Sequence, residues 1–142
     1  MASFFYTTGL AALIGSEDLG AASTYKLMLV SAAYSEAKSH EFVTDLGVGE
    51  LSVTNYVRKS VTPTIAANNT SGSERVEISI ADQTWTALGS GATIHGAVLI
   101  KDTGSNATSK LICFFDVANT ATNGGDITLD FAATGGNIQI SV

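Results

Sequence analysis

A chain of 142 residues is the size of one domain, long enough to bury a single core and too short to divide comfortably into two. Only 14% of the residues are charged and the net charge is −6, with seven Lys and Arg scattered along the chain, so no cluster can neutralise a row of phosphates and direct nucleic-acid binding is not expected. No apolar run approaches the roughly 18 residues of a membrane span, the N-terminus lacks the positive charge that opens a secretory signal, and the single cysteine, Cys113, excludes an internal disulfide and a cysteine metal cage.

In chain order, residues 1–23 read as an N-terminal arm or short helix and residues 24–142 as a single antiparallel β domain. Near 4–15, Phe5, Leu10, Leu13 and Ile14 form a partial apolar stripe that Gly15 stops, which predicts a helix even with Gly9 inside it. "TYKLMLVSAAY" at 24–34 is β-rich at its start, and "ELSVTNYVRK" at 50–59 alternates Leu51 and Val53 against polar neighbours, which predicts a second strand. Between them, "SEAKSHEFVTDLGVG" reads as a long loop with room for one helical turn. "PTIAANNTSGSE" at 63–74 is the most polar segment and predicts a mobile excursion.

The second half is more regular. In "RVEISIA", Val76, Ile78 and Ile80 fall on one face and Glu77 and Ser79 on the other, the two-residue period of a half-buried strand. "DITLDFA" repeats this with Ile127, Leu129 and Phe131 inward and Asp126, Thr128 and Asp130 outward. "NIQISV" does so again, and "TGG" at 134–136 supplies a turn, which predicts a C-terminal hairpin. "HGAVLIK" and "KLICFFDV" are continuous apolar runs, as expected of central strands covered on both faces, joined by "DTGSNATS" into another hairpin. About seven or more strands with Gly, Asn and Ser turns predict an all-β fold, an antiparallel β-sandwich or barrel-like domain with a short N-terminal helix or arm.

Few residues here suggest chemistry. Asp102-Thr103-Gly104-Ser105 matches the catalytic loop of aspartic proteases, which need two carboxylates sharing a proton. Lys101 stands beside that aspartate, however, and no supporting hydrophobic-hydrophobic-Gly segment follows near the C-terminus, so a hairpin turn is the expected role. His40 and His95 have no neighbours at metal-ligand spacing, and no GxSxG elbow is present. Trp85 is expected to anchor the core beside the 76–80 strand, the alternative being an exposed interface anchor. No catalytic residue, metal or cofactor is expected. The sparsely charged surface, rich in Ala, Gly, Ser, Thr and Asn, suits lasting protein contact, because small uncharged side chains cost little to desolvate.

Several stretches together resemble a group of small structural proteins of tailed bacteriophages. They are "YKLMLVSAAY", "HEFVTDLG", "NYVRK", "WTALGSGATIHGAVLIKDTGSNATSKLICFFD" and "NGGDITLDFAATGGNIQI", in order over most of residues 24–140. The sequence departs from that pattern at Ile100, where an aromatic is expected, and at Cys113-Phe114-Phe115. The resemblance implies a non-enzymatic virion component, made in the host cytoplasm and carried on the head surface as a decoration or cement protein. Its expected partners are the major capsid protein and itself, the trimer being favoured because it matches the site where three capsomers meet. Phe4, Phe5, Tyr6 and Leu10 are the candidate interface, as an arm or helix that orders on the lattice, and Asp102, Thr103 and Asn106 are candidate contacts at the hairpin tip. The alternatives are a tail, neck or fibre-associated virion protein, or a glycan-binding β-sandwich.

Overall fold

A computed structural model of the chain describes residues 3–15, 24–72, 74–131 and 138–141, and these form the expected all-β fold. The first half holds β1 (Phe4–Phe5), α1 (Thr7–Gly15), β2 (Tyr25–Ser31), a 3-10 turn (Val43–Leu46), β3 (Lys59–Ser60) and β4 (Thr64–Asn68). The second holds β5 (Arg75–Ser79), β6 (Gln83–Trp85), β7 (Thr93–Lys101), β8 (Lys110–Ala121), β9 (Ile127–Leu129) and β10 (Ile138–Ser141). They make a five-stranded sheet in the order β1-β8-β7-β2-β3, a three-stranded sheet β10-β5-β4 and a two-stranded sheet β6-β9, antiparallel throughout.

The continuous apolar runs are the centre of the large sheet, as their composition predicts. Side chains alternate between two cores. Tyr25, Leu27 and Leu29 of β2 and Ala97 and Leu99 of β7 enter the larger core, against Ile78 and Ile80, Trp85 of β6 and Ile127 and Leu129 of β9. Met28, Val30, Val98, Ile100 and Phe114 point the other way, into a smaller core closed by Phe4, Tyr6, Tyr34, Val43 and Leu46. Each such large apolar side chain contributes about 1.5–3 kcal/mol when fully buried, which is why these strands read as unbroken hydrophobic segments.

Two bulges set the phase of β7 and β8. Leu99 pairs with Cys113 while Ile100 pairs with Leu111, so Ile112 is an extra residue on β8, and it turns Leu111 onto the smaller core while Ile112 and Cys113 both serve the larger one. The second shift lies between Ile94 and Gly96. A bulge re-aims the side chains beyond it, so Ile94 stays with Ala97 and Leu99 in the larger core, whereas His95 lies 6.0 Å from the Phe114 ring on the other side. Gly96 is needed there because a Cβ would meet the Phe114 ring at 2.5 Å.

The N-terminal segment carries the short helix expected there, with a short strand before it. Helix α1 starts at Thr7, and Phe4 and Phe5 before it form an edge strand opposite Phe114 and Cys113 of β8. The amide of Tyr6 continues this by donating to Ile112 O at 3.1 Å. Gly9, which weakens a helix by propensity, lets α1 lie directly on the sheet: a Cβ there would meet Ile112 Cα at 2.7 Å.

Three sequence expectations are corrected. Residues 50–58 form no regular strand beyond a bridge of Glu50 to Val30, because Asn55 takes a left-handed φ of 65° that an extended strand does not allow. Leu51 is nevertheless buried. The polar segment 63–74 is not an excursion: residues 64–68 are β4, paired with β5 from Thr64↔Ser79 to Asn68↔Arg75. The C-terminal strands do not pair with each other, since β9 pairs with β6 and β10 with β5. Alternation reveals which side chains are buried but not which neighbour completes the backbone ladder. The turn expected at 134–136 lies outside the described residues.

Candidate interaction surfaces

The hairpin between β7 and β8 builds the "DTGS" stretch into a closed turn. The Asp102 amide donates to Thr24 O at 2.6 Å, and its Oδ1 accepts from the Gly104 amide at 3.3 Å and the Ser109 hydroxyl at 3.4 Å. Gly104 adopts φ 85°, a conformation that favours glycine in such a turn. Ser109 is buried and also accepts from the Thr103 amide at 3.0 Å while donating to Ser105 O at 2.8 Å. Thr103 is exposed, with its hydroxyl 2.6 Å from that of Thr108.

The other carboxylate oxygen of Asp102 pairs with Lys26 Nζ at 2.5 Å. The hydrogen bond from Lys26 holds the Asp102 carboxyl below the usual carboxylate range, helped by the Gly104 amide and the nearby Arg58 charge. A carboxylate fixed as an anion by a lysine is the reverse of a proton-sharing catalytic pair. Here the motif's residues turn the chain.

The tip is also tied to the loop before β3. Asn106 Oδ1 accepts from Arg58 Nη2 at 3.0 Å, and Asn106 O accepts from the Thr44 amide at 3.3 Å. Arg58 clamps Glu50 with two bonds of 2.8 and 2.7 Å, a bidentate geometry that fixes both partners. Glu50 also accepts from the Tyr56 hydroxyl at 3.0 Å, which in turn accepts from the Leu29 amide at 3.1 Å. The tip is thereby connected to the middle of β2.

At the N-terminus, the four candidate interface residues are placed unequally. Phe4 stacks on Phe114 with centroids 5.2 Å apart, and Tyr6 is fully buried with its hydroxyl 2.8 Å from that of Tyr34. Burial, then the Tyr34 hydrogen bond, pushes the Tyr6 phenol far above its ordinary value. Phe4 and Tyr6 are therefore part of the protein's own core, because two aromatics next to an exposed apolar sheet face bury more area there than in solvent. Phe5 and Leu10 are half-buried and are the members of the set with exposed surface.

Sequence spacing gave no sign of the polar cluster around Phe114. His95 Nδ1 lies 3.1 Å from Asn119 Oδ1, and its Nε2 lies 3.3 Å from both carboxylate oxygens of Glu36. The Asn119 hydrogen bond first, and Glu36 next, raise the His95 pKa above its ordinary value, against the effect of burial. On the same side His40 Nδ1 is 2.9 Å from the Tyr34 hydroxyl. His95 thus ties the 32–42 loop to the sheet through Glu36, and His40 braces that loop from within.

Trp85 is buried, its indole N–H donating to Val57 O at 2.7 Å. It offers no exposed platform for stacking a sugar ring. A groove of about 370 Å³ opens between β8 and β9, lined among others by Phe115, Ile127, Leu129, Phe131, Asp116 and Asp130. Among the described residues no group of three or more His, Cys, Asp or Glu is placed to hold a metal ion, and no helix is long and apolar enough to cross a membrane. No known family model, curated protein or solved structure matches the chain.

Proposed function

We propose that this chain is a structural component of the tailed-bacteriophage virion, a decoration or cement protein on the outer surface of the head. It binds the assembled major capsid lattice as a homo-oligomer, with the trimer favoured, and stabilises the head by mass action: a protein that binds only the assembled lattice adds about 2.7 kcal/mol per site at a hundred times its Kd. One observation carries the reading. The stretch in which the resemblance is densest, 85–116, supplies the central hairpin of the fold, and its single catalytic-looking residue, Asp102, is held as an anion inside a turn. Further support comes from a surface with little charge, with 14% charged residues in the chain, which a partner covers at low desolvation cost. Half-buried Phe5, Leu10 and Asp102 and exposed Thr103 and Asn106 are the side chains of the expected contact sets left with surface for that partner.

The test is co-sedimentation of purified protein with phage heads stripped of accessory proteins and with unassembled major capsid protein. Saturable binding to heads alone is the expected result. Binding to tails or necks in place of heads contradicts it.

A further inference from the structure

Strand β4 ends its sheet. In the order β10-β5-β4 it has β5 on one side, through five antiparallel pairs in unbroken register, and no further strand among the described residues on the other. The outward N–H and C=O groups of such an edge form a template that another extended chain can complete. Proteins commonly block exposed edges with lysine, with proline inside the strand, or with a bulge. Residues 60–72, which include β4, carry no charge, and Pro63 comes before the first pair. Ala66 and Ala67, which point to opposite faces, are both exposed, so neither face at the middle of the strand lies under a neighbouring element.

We propose that the outer edge of β4 docks the β4 of a second copy of this chain, the two strands pairing antiparallel about a two-fold axis at Ala66. Charge decides the occupant. Across a two-fold axis the strand meets its own sequence reversed, so an edge carrying charge of one sign repels itself, whereas "TIAAN" sets Thr64 opposite Asn68, Ile65 opposite Ala67 and Ala66 opposite Ala66 without a like-charge pair. An acidic or basic partner peptide, by contrast, finds no countercharge on β4 itself. The next strand inward is also balanced, because Arg75 and Glu77 pair with each other at 2.6 Å.

Five residues of strand pairing bury far less than the roughly 1,200 Å² of a stable interface. The contact is therefore weak in dilute solution, is strengthened by salt that screens the net charge of −6, and gains from any scaffold that holds copies side by side. It rests on the edge alone and stands whether or not the chain is a virion protein.

Ala66→Cys in the full chain tests the pairing by mild oxidation at high protein concentration, read on a non-reducing denaturing gel. Cys113 is buried and stays out of the reaction, and Ser90→Cys, at an exposed site elsewhere, is the control. A disulfide-linked species of twice the chain mass is expected for Ala66→Cys and not for the control. In sedimentation at rising concentration, Ala66→Lys loses the self-association that wild type and Ala66→Thr share. Equal cross-linking at the two cysteine sites, or self-association unchanged by Ala66→Lys, overturns the proposal. So does a wild type that stays monomeric while Ala66→Cys fails to cross-link, which leaves the edge to a different partner.

Discussion

Replacing Gly9 by alanine separates helix propensity from packing, because the two give opposite signs. In the interior of an exposed helix, glycine to alanine stabilises by about 0.5–1 kcal/mol. In α1 the new methyl meets Leu111 O together with Ile112 Cα and O at 2.7 Å each. All three are backbone atoms of the central strand β8, which no rotamer change can move aside. The helix must lift, at an overpacking cost of about 1–3 kcal/mol, and in lifting it weakens the Tyr6–Tyr34 bond and the Phe4–Phe114 stack beside it. The net expectation is a loss of about 1–2 kcal/mol, which for a chain of this size lowers Tm by a few degrees at about 2–4 °C per kcal/mol. Thermal and urea melts of Gly9→Ala beside Ala11→Gly, at an exposed helix position, provide the assay. Both variants should be less stable than wild type. A Gly9→Ala protein as stable as wild type, or more so, refutes the placement of α1 on β8.

Glu50→Ala leaves the Arg58 guanidinium without its two-point partner and the Tyr56 hydroxyl without its acceptor; the expected loss is about 2 kcal/mol, measured by urea denaturation. His95 has its pKa raised in the fold, so its stabilising effect is complete below the unfolded value of about 6.5 and is lost as pH rises through the higher folded value. The Tm gap between wild type and His95→Gln should therefore be largest at about pH 5.5 and shrink towards about pH 9. Asp102 has its pKa lowered, so its contribution is present above the unfolded value of about 3.9 and disappears as pH falls through the folded value. Asp102→Asn should cost at most about 1 kcal/mol near neutrality, since Lys26 is one-third exposed and the pair is screened, with the difference closing in acid in the same melts.

Sequence pattern revealed burial better than connectivity. The runs "HGAVLI" and "KLICFF" announced strands covered on both faces, and Ile78, Ile80, Ile127 and Leu129 were legible as inward residues from their two-residue period; all four are in the larger core. Pairing was not legible. β9 and β10 look like a hairpin by proximity, yet each completes a different sheet. Bulges hid the histidine cluster, because strict alternation puts His95 with Ala97 and Leu99, while the register shift next to Ile94 turns it towards Phe114, Glu36 and Asn119. The short N-terminal helix was legible, but not the strand before it. A helical stripe was visible from Phe5 onward, but Phe4 and Phe5 form a strand because a free β8 edge lies beside them, and no local window contains that edge. At the hairpin tip, context in the sequence already favoured a turn at Asp102, whereas the tie from Asn106 through Arg58 to Glu50 spans 48 and 8 residues and left no local signal.

The virion assignment is tested most directly by counting. Quantitative mass spectrometry of purified virions gives the number of copies of this chain relative to the major capsid protein. A head-surface decoration protein should be present in numbers comparable with the capsid subunits and should fall away from the count when heads are stripped. Absence from purified particles, or a handful of copies that remain with the tail or neck, contradicts the account.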